Sequence, residues 1–253
     1  MEWNEPLFVE GSGPSGRVGV LVSHGFGGSP RSVQEFALRL VDREHTVALP
    51  LLSGHGLTPE AMERSRWTEW TADIEKAYTW LRDRTDEVFV SGLSMGGTLA
   101  LWLAERHPGV AGLVTVNAAL RHPHERAMRI LGFVGVPRWA KAIGNDTKLA
   151  GVDEKAYDRI PMRSARQLAL LLADVREHLP VVHCPALLFS SVVDHVVPPG
   201  NQLEIYAAIS STDKRLVELR DSYHVATMDH EKGLIFKETL EFVARHARTV
   251  RHR

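Results

Sequence analysis

Residues 87–107 read EVFVSGLSMGGTLALWLAERH, and this stretch decides the fold prediction. An apolar, β-branched run leads into the pattern G-x-S-x-G at 92–96, and a run of helix-forming residues follows. The pattern alone is weak, because chance gives such a match in roughly one chain in ten of this size. Its setting of strand, tight turn and helix is the one that a nucleophile elbow requires. We therefore predict that Ser94 is a nucleophile raised at the carboxyl end of a strand; the alternative is a glycine-rich turn with a capping serine.

Strands and helices alternate on both sides of this stretch. The predicted strands cover residues 17–23, 46–50, 87–92, 110–117, 185–190 and 215–220. The predicted helices cover residues 30–43, 67–84, 98–107, 163–179 and 231–246. Strands that alternate with helices of this length favour a mostly parallel central sheet with helices on both faces, so the predicted class is α/β.

The alternation stops between residues 120 and 182. This region contains helical pieces separated by glycines and prolines, and no convincing strand between about Ala119 and Pro180. We therefore predict a core domain made of residues 1–119 and 183–253, with residues 120–182 inserted into it as a small helical cap. The cap includes an irregular apolar stretch with Ile130, Leu131, Phe133, Val134 and Trp139.

A serine hydroxyl is a poor nucleophile until a base removes its proton, and a third residue usually orients that base. In folds with a nucleophile elbow the partners follow in the order Ser, Asp or Glu, His. Asp194 follows the strand PALLFSS and His224 follows the strand RLVELR, so both predicted positions lie in loops beyond strand ends. We predict Asp194 as the orienting acid and His224 as the base. The competing acids are Asp174, Asp221 and Asp229, and the competing bases are His183, His195 and His230.

Acyl transfer places negative charge on the former carbonyl oxygen, and fixed N–H donors must be ready for it. One expected donor is the backbone N–H of Met95, directly after the nucleophile. The other is the N–H of Phe26, in the loop HGFGG at 24–28 after the first strand. His24 is expected to brace this loop. A phosphate-binding loop is the alternative, but the glycine spacing of such loops is absent.

Composition limits the remaining classes of function. The 253-residue chain has a net charge of −1, which predicts no nucleic-acid partner. The one cysteine, Cys184, cannot form an internal disulfide, and the N-terminus lacks the pattern of a signal peptide, so we expect a cytoplasmic protein. No metal-ligand motif stands out, and we expect neither a metal nor a cofactor.

Four segments together resemble the bacterial monoacylglycerol lipases, relatives of small carboxylesterases among the α/β-hydrolases: HGFGGSP, GLSMGGTLALWLAERHP, CPALLFSSVVDHVVPPGN and DSYHVATMDHE. The similarity extends from about Val18 to His246. It implies the α/β-hydrolase fold, a triad of Ser94, Asp194 and His224, and oxyanion donors at Phe26 and Met95. It also implies that Ile143 senses the acyl chain and that Glu154 recognises the glycerol head group.

The resemblance implies an enzyme that hydrolyses monoacylglycerols, with a lipid ester as its substrate. The acyl chain of such a substrate needs an apolar tunnel, which Ile130, Leu131, Phe133, Val134 and Trp139 of the cap could line, and the outer cap could contact a lipid surface. The alternative is a carboxylesterase for short or medium acyl esters without a preference for glycerol. A ligand-binding receptor that has lost turnover, and a cofactor-free oxidoreductase of the perhydrolase type, are two further alternatives. The sequence does not predict the oligomeric state.

Overall fold

A central seven-stranded sheet organises the molecule. The computed structural model describes residue 2 and residues 4–248. The sheet has the order β1-β3-β2-β4-β5-β8-β9, in which only β1 is antiparallel to its neighbour. Its strands are β1 (Leu7–Val9), β2 (Val18–Ser23), β3 (Thr46–Leu49), β4 (Glu87–Leu93), β5 (Val110–Val116), β8 (Ala186–Ser191) and β9 (Lys214–Leu219). A separate antiparallel pair joins β6 (Trp139–Lys141) to β7 (Arg159–Pro161).

Helices cover both faces of this sheet. They are α1 (Arg31–Val41), α2 (Pro59–Arg64), α3 (Trp67–Arg82), α4 (Met95–Arg106), α5 (Glu125–Val134), α6 (Met162–His178), α7 (Gly200–Ala208) and α8 (Lys232–His246). Alternate residues of a strand enter opposite cores: Leu21 joins the core beneath α3, α4, α6 and α7, whereas Val20 and Val22 join the core beneath α1 and α8. Burial on both faces explains why the parallel strands are continuous apolar runs.

The six predicted strands and five predicted helices all occur, with ends that shift by three residues or fewer. The largest shift is at α4, which begins at Met95 instead of Thr98 because two glycines in its first turn weaken the helical signal. The strand β1 was missed because three residues are too few for a periodic pattern. The helices α2 and α7 were also missed, being only six and nine residues long.

Residues 117–185 join β5 to β8, which are neighbours in the sheet, and include the predicted inserted segment, residues 120–182. The inserted segment contains α6, which was predicted, and α5, which was not among the predicted helices although helical pieces were expected here. The expectation that it lacks strands is wrong, since β6 and β7 pair within it. Each of these strands is three residues long, so neither produces an alternating pattern in the sequence. Within the described residues, every helix is too short or too polar to cross a lipid bilayer.

Candidate active site

Ser94 occupies a strained turn between β4 and α4. Its backbone angles are φ 56° and ψ −122°, in a region that residues other than glycine rarely adopt. The Ser94 amide donates to the carbonyl oxygen of Val116 at 2.9 Å, and the Ser94 carbonyl accepts from the amide of Ala119 at 3.3 Å. These bonds to the end of β5 hold the turn in place, so the position of the Ser94 side chain is set by the sheet.

The glycines of the pattern permit backbone contact that a side chain would prevent. A Cβ at Gly92 would collide with the backbone of Gly96, and a Cβ at Gly96 would collide with the carbonyl groups of Ser23 and His24. These atoms belong to rigid strand and helix ends and cannot move aside cheaply. Gly96 therefore lets the start of α4 lie directly against the end of β2.

Replacing Gly96 with alanine is expected to destabilise the fold by about 2–3 kcal/mol, because the new methyl group overpacks a site made of backbone. Urea unfolding measures the change in the free energy of unfolding. Gly109→Ala is the matched control, since a Cβ there meets no atom within 4 Å and the residue lacks a positive φ. Equal unfolding midpoints for the two variants would contradict this account of the turn.

His224 and Asp194 form a buried pair. His224 Nδ1 lies 2.8 Å from Asp194 Oδ2, and the two side chains are 8% and 3% exposed. The other oxygen, Asp194 Oδ1, accepts from the amides of Val196 and Val197 at 2.8 and 2.7 Å. The carboxylate is thus fixed by backbone on one side and orients the imidazole on the other.

Three further residues anchor the loop that carries His224. Asn117 Nδ2, at the end of β5, donates to the carbonyl oxygen of His224 at 2.8 Å. Asp146 Oδ2 accepts from the His224 amide at 3.2 Å, while Asp146 Oδ1 accepts from His195 Nδ1 at 2.7 Å. Asp229 accepts from backbone amides in both the His224 loop and the inserted segment. The sequence reasoning missed all three contributions, because these partners lie far apart along the chain.

The competing acids have other partners. Asp174 pairs with Arg106 at 2.7 Å, and Asp221 pairs with Lys148 at 2.6 Å. Asp229 accepts from four backbone amides, which hold the pKa of its carboxyl below the usual value although burial opposes this. Asp194 is thus the candidate whose carboxylate contacts His224.

The competing bases lie outside the cavity that contains Ser94. His195 pairs with Asp146, His183 is exposed ahead of β8, and His230 is absent from the residues that line the cavity. Sequence reasoning overlooked His122 and His124, which do line it. Within the described chain neither of these two is paired with a carboxylate, so His224 remains the candidate base.

The loop 24–28 lies beside Ser94. A Cβ at Gly25 would come within 3.3 Å of Ser94 Cβ. His24 braces this loop, since its Nε2 accepts from the Leu52 amide at 3.2 Å and its Nδ1 donates to the Gly25 carbonyl oxygen at 3.0 Å. Burial lowers the pKa of His24 to about 3, so the ring stays neutral and keeps this tautomer.

Phe26 is held in this loop through its ring. It makes edge-on contacts with Trp70 and His55, with ring centroids 5.8 and 6.1 Å apart. Met95 is the first residue of α4, where amide groups have no partner within the helix. Phe26 follows Gly25, which packs against Ser94, and Met95 follows Ser94 itself, so both backbone N–H groups belong to elements beside the candidate nucleophile.

A cavity of about 530 Å³ brings the predicted site residues together. Ser94, His224, Phe26 and Met95 line it, and Ile143 and Glu154 contribute from the inserted segment. The rest of the wall is largely apolar and includes Met128, Leu131, Ile160, Met162, Leu168, Leu172, Val196 and Val197. This volume lies in the range of small-molecule sites.

The predicted tunnel residues require a correction. Only Leu131 of that set lines the cavity. Ile130, Phe133 and Val134 are exposed on the outer side of α5, and Trp139 lies between the guanidinium groups of Arg138 and Arg159. The inner wall is formed by the opposite face of α5 and by α6.

Glu154 is a buried acid in the cavity wall. It is 8% exposed, and its Oε1 accepts from the Asn145 amide at 2.7 Å while Asn145 Oδ1 accepts from the Glu154 amide at 2.8 Å. Burial raises the pKa of its carboxyl. Ile143 also lines the cavity and is 60% exposed.

One group of side chains has the spacing of metal ligands. Ligand atoms of Glu105, Asp174 and His178 lie within 4.8 Å of one another. Arg106 already bonds to both carboxylates, at 3.0 Å to Glu105 and 2.7 Å to Asp174, and so supplies the positive charge there. None of these residues lines the cavity beside Ser94.

Comparisons with known proteins agree over nearly the whole chain. Residues 15–231 match the family model described as Serine aminopeptidase, S33. The chain is 46% identical over 243 residues to the thermostable monoacylglycerol lipase of Bacillus sp. (strain H-257), covering 96% of this chain and 95% of that protein. It is 28% identical over 229 residues to a carboxylesterase of Bacillus subtilis (strain 168), covering 88% of this chain and 91% of that one.

A solved structure from work on two metagenome-derived lipolytic enzymes, LipS and LipT, superposes with a TM-score of 0.91 at 45% identity. The superposition covers 96% of this chain and 98% of the chain in that structure. The predicted α/β-hydrolase fold is thereby confirmed, as is the resemblance drawn from the sequence. This chain belongs to the matched family of serine hydrolases and, within the α/β-hydrolase fold, to the group that contains the bacterial monoacylglycerol lipases.

Proposed function

We propose that this protein hydrolyses the ester bond of monoacylglycerols to a fatty acid and glycerol. The observation that carries the proposal is the cavity beside Ser94, whose wall is largely apolar and contains the buried carboxyl of Glu154. An apolar wall suits a single acyl chain, and one placed polar group suits a small polar head. The similarity to the Bacillus monoacylglycerol lipase supports the same assignment.

In the proposed mechanism Ser94 Oγ attacks the ester carbonyl carbon while His224 Nε2 takes the hydroxyl proton. Asp194 accepts from His224 Nδ1, so the free lone pair of the ring points away from the acid. The negative charge on the carbonyl oxygen is stabilised by the amides of Phe26 and Met95, each of which typically contributes about 10²–10³ in rate. His224 returns the proton to the departing glycerol oxygen, and water repeats the cycle on the acyl-enzyme.

We further propose that Glu154 hydrogen-bonds the glycerol hydroxyls and that Ile143 contacts the acyl chain. Glu154→Gln is expected to lower kcat/KM on a monoacylglycerol about 10–100-fold, the range for losing one hydrogen bond to a charged group. Hydrolysis of the methyl ester of the same acid should change little. The measurement is the ratio of the two specificity constants in the wild type and the variant.

Ile143→Val provides the control for this ratio, because it shortens an apolar contact and leaves Glu154 and the Asn145 amide unchanged. It should affect the two esters to a similar, small extent. An equal loss on both esters in Glu154→Gln would show a structural role for Glu154 and would contradict head-group recognition.

A carboxylesterase without glycerol preference is the second candidate function, supported by the similarity to the Bacillus subtilis carboxylesterase. Turnover of monoacylglycerols of increasing chain length, compared with simple alkyl esters, separates the two. An aminoacyl amide should be tested together with these esters, because the matched family model carries the description of a serine aminopeptidase. Equal rates on glycerol and alkyl esters would favour the carboxylesterase.

The inserted segment is proposed to act as a lid domain, residues 120–182, over a core of residues 1–119 and 183–253. Its outer face carries apolar side chains that are 62–76% exposed: Ile130, Phe133, Val134 and Val136. A patch of this kind suits transient contact with a lipid surface from which the substrate is taken. A cytoplasmic location is also proposed, because a chain with the one cysteine Cys184 forms no internal disulfide and so suits a reducing compartment.

A further inference from the structure

A second cavity, of about 780 Å³, lies between α2, the end of α5 and the start of α6. We name it the arginine groove after five of its lining residues: Arg64, Arg66, Arg138, Arg163 and Arg166. Glu63 is the one acidic residue among those that line it. It is separate from the cavity that contains Ser94, since the two share no lining residue.

The positive charge of this groove is largely uncompensated. Arg138 pairs with Glu63 at 2.7 Å and so neutralises the acid present. Across the described residues, Arg64, Arg66, Arg163 and Arg166 make no ion pair with a carboxylate, and Arg166 instead lies over the ring of Phe133 at 5.6 Å. The chain as a whole has a net charge of −1, so this concentration of like charge is local. Such clusters attract anions.

The arginine groove adjoins the exposed apolar face of α5. Phe133 lines the groove and is also 76% exposed. On the same exposed face of α5, one and two turns closer to its N-terminus, Arg129 and Arg126 are exposed and, in the described chain, also lack a carboxylate partner. The exposed apolar side chains of α5 thus share their face with these two guanidinium groups and border the arginine groove, an arrangement that fits the boundary between acyl chains and anionic head groups.

We propose that the arginine groove binds the phosphate head groups of anionic phospholipids in a membrane surface. Guanidinium groups present paired N–H donors that match phosphate oxygens, and bidentate contacts of this kind favour arginine over lysine. The groove would hold the head group while Phe133 and its neighbours enter the acyl region. The inference rests on the proposed action on lipid esters, and it assigns the lipid class that positions the lid.

Vesicle sedimentation tests the proposal on the full chain. The probes are vesicles of phosphatidylcholine alone and vesicles of equal parts phosphatidylglycerol and phosphatidylcholine. The wild type should bind the second kind more tightly, and added salt should weaken that binding. The double variant Arg64→Gln/Arg163→Gln should lower it about 25-fold, since each basic side chain near an anionic surface contributes roughly fivefold.

The matched control is Arg43→Gln/Arg82→Gln, which removes the same charge. Both of these arginines are exposed and precede β3 and β4, at the amino ends of the strands. This control should keep at least most of the binding. Equal losses in the two double variants, or equal wild-type binding to both vesicle types, would overturn the proposal. Release by inorganic phosphate at constant ionic strength would overturn the lipid assignment in favour of a free-anion site.

Hydrolysis of a soluble short-chain ester distinguishes failure of this proposal from failure of the proposed function. Both double variants should hydrolyse it at the wild-type rate, because none of the four arginines lines the cavity beside Ser94. Loss of vesicle binding with full ester turnover therefore supports the groove. If the wild type also failed to hydrolyse the ester, the hydrolase mechanism would be contradicted. The vesicle-binding result would still test the arginine groove, because binding does not depend on turnover.

Discussion

Ser94→Ala is expected to reduce kcat/KM for ester hydrolysis by about 10⁵–10⁶-fold, the scale seen when a serine hydrolase loses its nucleophile. The residual rate would come from substrate binding and from the amides of Phe26 and Met95, which the substitution leaves in place. Alanine keeps the Cβ, so the backbone strain at φ 56° stays as it is and the fold should persist. Steady-state hydrolysis of a soluble ester measures the loss.

Ser91→Ala is the matched control for this variant. Ser91 is a buried serine in β4, and its hydroxyl donates to the Leu21 carbonyl oxygen at 2.8 Å. Removing it should lower the free energy of unfolding by about 1 kcal/mol with little effect on turnover. A fluorophosphonate probe should label the wild type and Ser91→Ala and should fail to label Ser94→Ala. Labelling that persists in Ser94→Ala would mean that another residue is the nucleophile.

The candidate triad could be proposed from the sequence because its three positions follow from the ends of parallel strands. Ser94, Asp194 and His224 each lie in the first loop after such a strand, and the carboxyl ends of parallel strands share one edge of the sheet. Chain order then separated Asp194 and His224 from neighbouring acids and bases. Because both loops lie at that edge of the sheet, the side chains of Asp194 and His224 can meet, and they do so at 2.8 Å.

Contacts that depend on the path of the inserted segment could not be predicted in this way. Asp146 reaches the amide of His224, 78 residues away, and Asp229 reaches the amide of Lys148, 81 residues away. A lone aspartate in a loop carries no local pattern, because its partner is set only when the segment folds back over the sheet. The His224 loop is therefore supported by residues that periodicity and motif spacing do not reveal.

Which face of α5 packs against the rest of the protein could not be predicted from the sequence either. Apolar residues occur on more than one side of this helix, so composition alone did not show which side lines the cavity. A Cβ at Gly132 would collide with the Met162 carbonyl group and with Arg166, which identifies the face of α5 that packs against α6. Ile130 and Phe133 lie away from that face and are exposed. Gly132 was the available signal in the sequence, because a residue without a side chain lets α6 approach this face of α5 closely.

Asp194→Asn is expected to lower kcat/KM about 10⁴-fold while the protein remains folded. An amide in place of the carboxylate can donate to His224 Nδ1 and so favours the tautomer with the proton on Nε2, which cannot accept the proton of Ser94. It also removes the negative charge that stabilises the imidazolium formed during the reaction. Asn Oδ1 can still accept from the amides of Val196 and Val197, so the loop should keep its conformation.

The measurement for this variant combines ester turnover with thermal unfolding, so that a lost role in orienting His224 is separated from a lost fold. Asp221→Asn is the matched control, because Asp221 lies three residues from His224 and pairs instead with Lys148 at 2.6 Å on the surface. An exposed pair of this kind contributes little to stability, and turnover should stay near that of the wild type. Full activity in Asp194→Asn, or an equal loss in Asp221→Asn, would mean that another carboxylate orients His224. The geometry argues against another acid, since Asp194 is the acid whose oxygen contacts the ring of His224.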